Sequence, residues 1–178
     1  MKKHLLKTLT FICIALLSFN SNAQDFKELD VSPMDAASYP SSHNEFKKLV
    51  KVIYSRPQLR GRTVRSLTPY GKVWRTGANE ATEITFFHNV IFGDKEVKAG
   101  TYSLFTIPGK KEWIFIINSD VDVWGAFTYN EADDVARVKV PVTKGEEYIE
   151  PFSIAFDDDA TMNLGWGNVR VAVPIKKL

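Results

Sequence analysis

The sequence predicts an all-β fold, an antiparallel β-sandwich with a β-barrel as the alternative, and three observations carry that expectation. Short apolar and β-branched runs bounded by Gly, Pro, Asn and Asp recur from about residue 45 onward, at the roughly 8 to 12 residue spacing of a strand-rich fold. The last run alternates, with Val169, Val171 and Val173 on one side and Arg170 and Ala172 on the other, as a strand with one buried face requires. Helical character is confined to Tyr129–Val135, where Asn130 can cap a turn opened by Glu131 and Asp133, so one or two short helical turns are the most expected.

The chain opens with the pattern of a signal peptide over residues 1–23: basic Lys2, Lys3 and Lys7, an apolar run from Leu9 to Phe19, and a small-residue cleavage site at Ser21-Asn22-Ala23. The apolar run is about half the ~20 residues a membrane span needs, so the expectation is an exported protein, periplasmic or secreted, with no membrane span after cleavage before Gln24. Cleavage removes the only cysteine, Cys13, and leaves neither a disulfide nor a thiol nucleophile. It also removes three basic residues and no acidic one, which takes the formal charge from +2 to −1. A net charge near zero lacks the field that attracts phosphodiester backbones, so nucleic acid is not an expected partner.

Residues 24–44 show no clear periodicity and read as a leading arm or irregular segment before a single domain over 45–178, which is long enough to bury its own core. The expected strands are Lys48–Ser55, Thr82–Phe87, Val90–Phe92, Glu96–Lys98, Thr101–Ile107, Trp113–Asn118, Val135–Val142, Phe152–Phe156, Asn163–Trp166 and Val169–Ile175. Gly93-Asp94, Pro108-Gly109 and Gly165–Asn168 supply the turns between them, through positive φ or a preset φ near −65°.

Charge divides unevenly along this framework. Nine basic residues and no acidic one lie between Glu45 and Glu80, among them Arg56, Arg60, Arg62, Arg65 and Arg75, whereas residues 81–178 carry 15 acidic against 10 basic side chains. Two readings follow: the arginines pair with later carboxylates such as Asp133, Asp134 or Glu150, or they form guanidinium forks for a carboxylate, phosphate or sulfate.

The segment Tyr70–Thr82 (Tyr-Gly-Lys-Val-Trp-Arg-Thr-Gly-Ala-Asn-Glu-Ala-Thr) sets Trp, Arg, Asn and Glu among glycines, the composition of a loop that carries a site. Trp74 and Trp124 stand beside turn glycines, where they can stack on a sugar ring or plug an open end of the sandwich, whereas Trp113 belongs to a strand core. With Arg56, Arg62, Arg75, Asn79 and Glu80 they make up the candidate ligand-binding set. Glu80 is also the candidate general acid or base, with Arg75 nearby either to tune it or to form a structural ion pair. Ser103 lacks the flanking glycines of a nucleophile elbow and reads as a strand serine. His43 and His88 show no zinc spacing, while Asp157 and Asp159 offer hard oxygens to calcium without a glutamate to close the loop. No cofactor is indicated.

Tyr54-Ser55-Arg56-Pro57, Gly61-Arg62, Tyr70–Thr82, Ala99–Pro108 and Trp124-Gly125-Ala126 together resemble the domain of unknown function 2911 family, over most of the chain from Val50 to Ile175. The resemblance implies a small exported protein and brings no established activity. The expectation is therefore a non-catalytic module binding a small polar or carbohydrate ligand. The alternatives are an envelope module that meets a protein partner and, less favoured, a hydrolase using Glu80 with an acidic residue near Asp133.

Overall fold

Among the described residues, ten strands build two facing antiparallel sheets. The computed structural model describes residues 25–178, so the expected leader and Cys13 lie outside the described residues. In chain order the elements are β1 (Met34–Tyr39), β2 (Val50–Ser55), α1 (Val64–Leu67), β3 (Thr82–Phe86), β4 (Val90–Phe92), β5 (Lys95–Val97), β6 (Gly100–Ile107) and β7 (Glu112–Asn118). A 3-10 turn (Glu131–Asp133) then leads into β8 (Asp134–Pro141), β9 (Thr143–Phe156) and β10 (Thr161–Lys177). One sheet runs β1-β2-β3-β6-β7-β8 and the other β5-β4-β10-β9, and no barrel closes between them. The fold is an all-β sandwich. No helix among the described residues is long and apolar enough to cross a membrane.

The core lies between the sheets. Val50, Val52, Ile84, Leu104, Phe115, Ile117 and Val138 face it from the larger sheet, and Phe92, Phe152, Met162, Leu164, Val171, Val173 and Ile175 from the smaller. Each such side chain, fully withdrawn from water, contributes about 1.5–3 kcal/mol of transfer free energy. β6 and β7 are buried on their outer faces as well. There Phe105 and Ile116 pack with Ala81 beneath the two loops that carry Val73, Val123, Ala126 and Tyr129. Those loops are thereby fixed to the scaffold rather than left in solvent.

Departures from the expected elements have local causes. The segment expected to be an irregular arm contains β1, paired in register from Met34↔Ser55 to Tyr39↔Val50. Its sequence, Met-Asp-Ala-Ala-Ser-Tyr, lacks β-branched residues, so pairing with β2 rather than intrinsic preference makes it a strand. The last two expected strands are one, β10, with ladder irregularities on either side of Gly167, whose φ of +54° accommodates the bulge. α1 is a single turn whose Thr63 cap accepts a hydrogen bond from the Ser66 N–H. The 3-10 turn is capped by Asn130 as its sequence indicates.

Candidate functional site

The Tyr70–Thr82 loop runs back along the sheet instead of bulging from it. β3 pairs with β6 only as far as Thr82↔Leu104, and Trp74 takes the next place along β6: its N–H donates to Thr106 O at 2.7 Å and its carbonyl accepts from Thr106 N at 2.9 Å. This turns the indole inward. Trp74 is 9% exposed, stacks on Trp166 at 5.5 Å and 10°, and meets Trp113 and Phe152 edge-on at 6.0 and 5.1 Å. Both indole N–H groups are satisfied, Trp74 by Gly77 O at 3.1 Å and Trp166 by Glu150 O at 3.0 Å. The ring plugs the end of the sandwich, and its faces are taken up by other aromatics.

Beyond Trp74 the loop is held in an unusual backbone. Thr76 and Asn79 both take left-handed conformations, at φ +55° and +60°. For a β-branched residue this is an outlier that costs on the order of 1–3 kcal/mol and persists only where surroundings impose it. Here they do: Thr76 Oγ1 donates to Thr106 Oγ1 at 3.1 Å, its carbonyl accepts from Thr82 Oγ1 at 2.8 Å, and Thr82 N–H donates to Arg75 O at 3.0 Å. Gly125 N–H fastens to Asn79 O and Ala81 N–H to Val123 O, which ties the loop to the Val121–Asn130 segment.

The facing loop, Arg56–Arg62, is anchored to β9. Phe152 N–H donates to Pro57 O at 2.9 Å, Gln58 bridges Pro151, and Arg60 N–H donates to a Glu150 carboxylate oxygen. Between the two loops opens a cleft of about 280 Å³ lined by Ser32, Gln58, Arg60, Arg62, Arg75, Ala78 and Asn79, with Trp74 and Trp166 in its wall. Three arginines line it and, among the described residues, no carboxylate does.

Of the candidate residues, Arg62, Trp74, Arg75 and Asn79 come together at this cleft, and Arg56, Glu80 and Trp124 do not line it. Arg56 is a pin between sheets: its guanidinium donates to Asp35 at 3.0 Å, Phe152 O at 3.1 Å and Ser153 Oγ at 2.7 Å. Trp124 is 60% exposed on the neighbouring segment. The left-handed turn at Asn79 sends Glu80 away from Arg75, and no ion pair joins them among the described residues. Glu80 lines a separate cavity of about 320 Å³ with Glu83, Asp122, Ile53 and Val123. Sequence reasoning passed over Glu83 and Asp122, which lie in a strand and a separate loop with no shared motif.

The expected pairing of the basic segment with later carboxylates is largely unrealised. Among the described residues only Arg56 of that segment forms an ion pair, and its partner is Asp35 in β1. Asp134 pairs with Arg137 instead, and Glu150 is engaged by the Arg60 backbone rather than by its guanidinium. Asp157–Asp159 form the turn between β9 and β10, where hydrogen bonds from Thr161 hold the Asp159 carboxyl below its ordinary range. No group of three or more His, Cys, Asp or Glu side chains among the described residues is placed to hold a metal ion. Ser103 is buried in β6 with its hydroxyl unpartnered and lines neither cavity.

Searches of curated proteins and of solved structures found no match. One family model, described as protein of unknown function (DUF2911), matches residues 32–175, a span that holds both cleft loops and both sheets but for the last two residues of β10. The chain belongs to the DUF2911 family.

Proposed function

We propose that the chain is an exported, non-catalytic module that binds a small polar ligand, a carbohydrate among the candidates, in the cleft between the Arg56–Arg62 and Tyr70–Thr82 loops. The observation that carries the reading is the lining itself: three arginines, Asn79, Gln58 and Ser32 converge over an aromatic wall in about 280 Å³. That volume suits a ligand at or below the small end of the usual range of binding pockets, roughly 300–1,000 Å³. Because Trp74 and Trp166 stack on each other and the rest of the lining is mostly polar, the ligand is gripped chiefly by hydrogen bonds and charge.

A thermal-shift panel of neutral oligosaccharides, organic acids, inorganic phosphate and calcium with a chelator control tests it. Ligand at a hundredfold excess over Kd adds about 2.7 kcal/mol of apparent stability. Asn79→Gly keeps the left-handed backbone while removing the amide from the cleft, so it is expected to reduce the shift without unfolding the protein. A panel that gives no shift contradicts the reading.

A second reading, an envelope protein-interaction module, draws on the exposure of Trp124 at 60% and Phe127 at 84% on one segment. A mass that rises with concentration, or a defined envelope protein that co-purifies, favours it over the first. The hydrolase reading has less support. The acidic residues proposed to act with Glu80 are occupied: Asp133 accepts from Asn130 at 2.9 Å, and Asp134 from Arg137, Tyr129 and Asn118.

A further inference from the structure

Among the described residues, Arg75 is an arginine without a counter-ion. Its Nε is buried and donates to nothing, and no carboxylate lies within ion-pair distance of its guanidinium among the described residues. Burial pushes the guanidinium below its ordinary value, with no opposing charge to offset it. The group nonetheless stays charged in any aqueous protein, so its desolvation is an uncompensated cost in the unliganded fold. The backbone beside it is not slack: Thr76 and Asn79 on either side of Gly77-Ala78 are locked left-handed, so the main chain that carries Arg75 along the cleft is fixed.

Arg62 adds a second, oriented fork. Its Nε donates to Leu59 O at 2.9 Å and one terminal nitrogen to Gln58 O at 3.1 Å, which fixes the plane of the guanidinium and leaves the other terminal nitrogen unbonded among the described residues. The carboxylate bonded to this loop, Glu150, is turned to the Arg60 backbone N–H and does not neutralise either guanidinium. A neutral hydroxyl ligand could accept one hydrogen bond here but would leave the charges uncompensated. A planar or tetrahedral oxyanion accepts two or more from guanidinium edges and cancels charge as well.

We infer that the ligand of this cleft carries an oxyanion, a carboxylate, sulfate or phosphate, and that Arg75 is its principal counter-ion with Arg62 as the second fork. The inference rests on the proposed use of the cleft as a binding site. Asn79, Gln58 and Ser32 remain for the ligand's hydroxyl groups, so a single sugar acid is the size and character that fits.

Calorimetric titration of the purified chain with D-glucuronate, D-glucose, inorganic sulfate and inorganic phosphate tests this, alongside Arg75→Gln, Arg62→Gln and Asn79→Gly variants checked for retained fold by circular dichroism. The expected result is that at least one of the three anions binds about tenfold or more tightly than D-glucose, that added salt weakens it, and that Arg75→Gln removes it while Arg62→Gln only weakens it. The anion that binds best separates carboxylate from tetrahedral recognition. Equal binding of D-glucose and D-glucuronate, lost in Asn79→Gly, overturns the anion inference and leaves the cleft reading standing. Anion binding that survives Arg75→Gln overturns the assignment of Arg75. Silence from all four probes, when a neutral member of the wider panel does stabilise the protein, overturns the anion inference; silence throughout overturns the cleft reading and this inference with it.

Discussion

Arg137, at Tyr129, and Arg75, at Gly125, both flank the Val121–Asn130 segment and show what a neighbourhood does to the same side chain. Arg137 donates to Asp134 at 2.6 Å and to the Tyr129 hydroxyl at 2.7 Å, and pairs with Glu131 at 3.1 Å. Burial alone would lower its guanidinium, but the hydrogen bonds with Asp134 and Tyr129 outweigh that and raise it. Arg75, beside Gly125, has the burial without the bonds and is lowered. A cation with its partners in the fold contributes to stability. One held without them taxes the fold, and in this chain it lies in a cleft with two further arginines and, among the described residues, no carboxylate.

The most severe way to break this comparison is to remove what holds Arg75 in place. Trp74→Ala deletes an indole packed against Trp166, Trp113 and Phe152, and is expected to cost about 3–5 kcal/mol in chemical denaturation. A loss below about 1 kcal/mol would mean that the loop does not depend on this plug.

Next in size is the Arg137 side. Asp134→Ala removes one acceptor from each of the Arg137 guanidinium, the Tyr129 hydroxyl and the Asn118 amide, and should cost roughly 2–3 kcal/mol, in the range of hydrogen bonds to charged groups. The corresponding deletion cannot be made at Arg75, because it has no carboxylate to lose among the described residues.

The smallest effect is on pH dependence. Burial, and then the hydrogen bond with Asp134, raises the Tyr129 hydroxyl above its ordinary value. A group whose folded value is raised contributes stability that is complete below the unfolded value, about pH 10 for tyrosine, and lost as pH rises through the folded value. Thermal midpoints should therefore fall above about pH 10. Tyr129→Phe should flatten only part of that slope, because burial also raises Tyr54, in the core. A variant with an unchanged alkaline slope would remove Tyr129 from the account.

How much of this could be read in the chain depends on whether a feature is local. Strands built from short β-branched and aromatic runs, such as β2, β6 and β7, were legible, as was the Asn130 cap, since each follows from residues within a few positions. β1 was not, because Met34–Tyr39 becomes a strand through β2. The basic segment was visible as composition, yet which arginine is a pin and which is unpaired depends on strand neighbours distant in sequence: Arg56 meets Asp35, Phe152 and Ser153. Arg62, Arg75 and Asn79 could be singled out by residue type in turn segments. The burial of Trp74 could not, because flanking polar and glycine residues suggest an exposed loop while pairing with Thr106 draws the ring inside.

The central claim, that Arg75 is kept at a cost to the fold for the sake of a ligand, is tested most directly by thermal unfolding of Arg75→Met against the parent protein, without added ligand and at low salt. Methionine keeps much of the length of the side chain and removes the charge. The account predicts an equal or higher midpoint, with a gain of up to about 1 kcal/mol, or roughly 2–4 °C for a chain of this size. A fall of that size or more would show that Arg75 holds the fold together, and would contradict the claim.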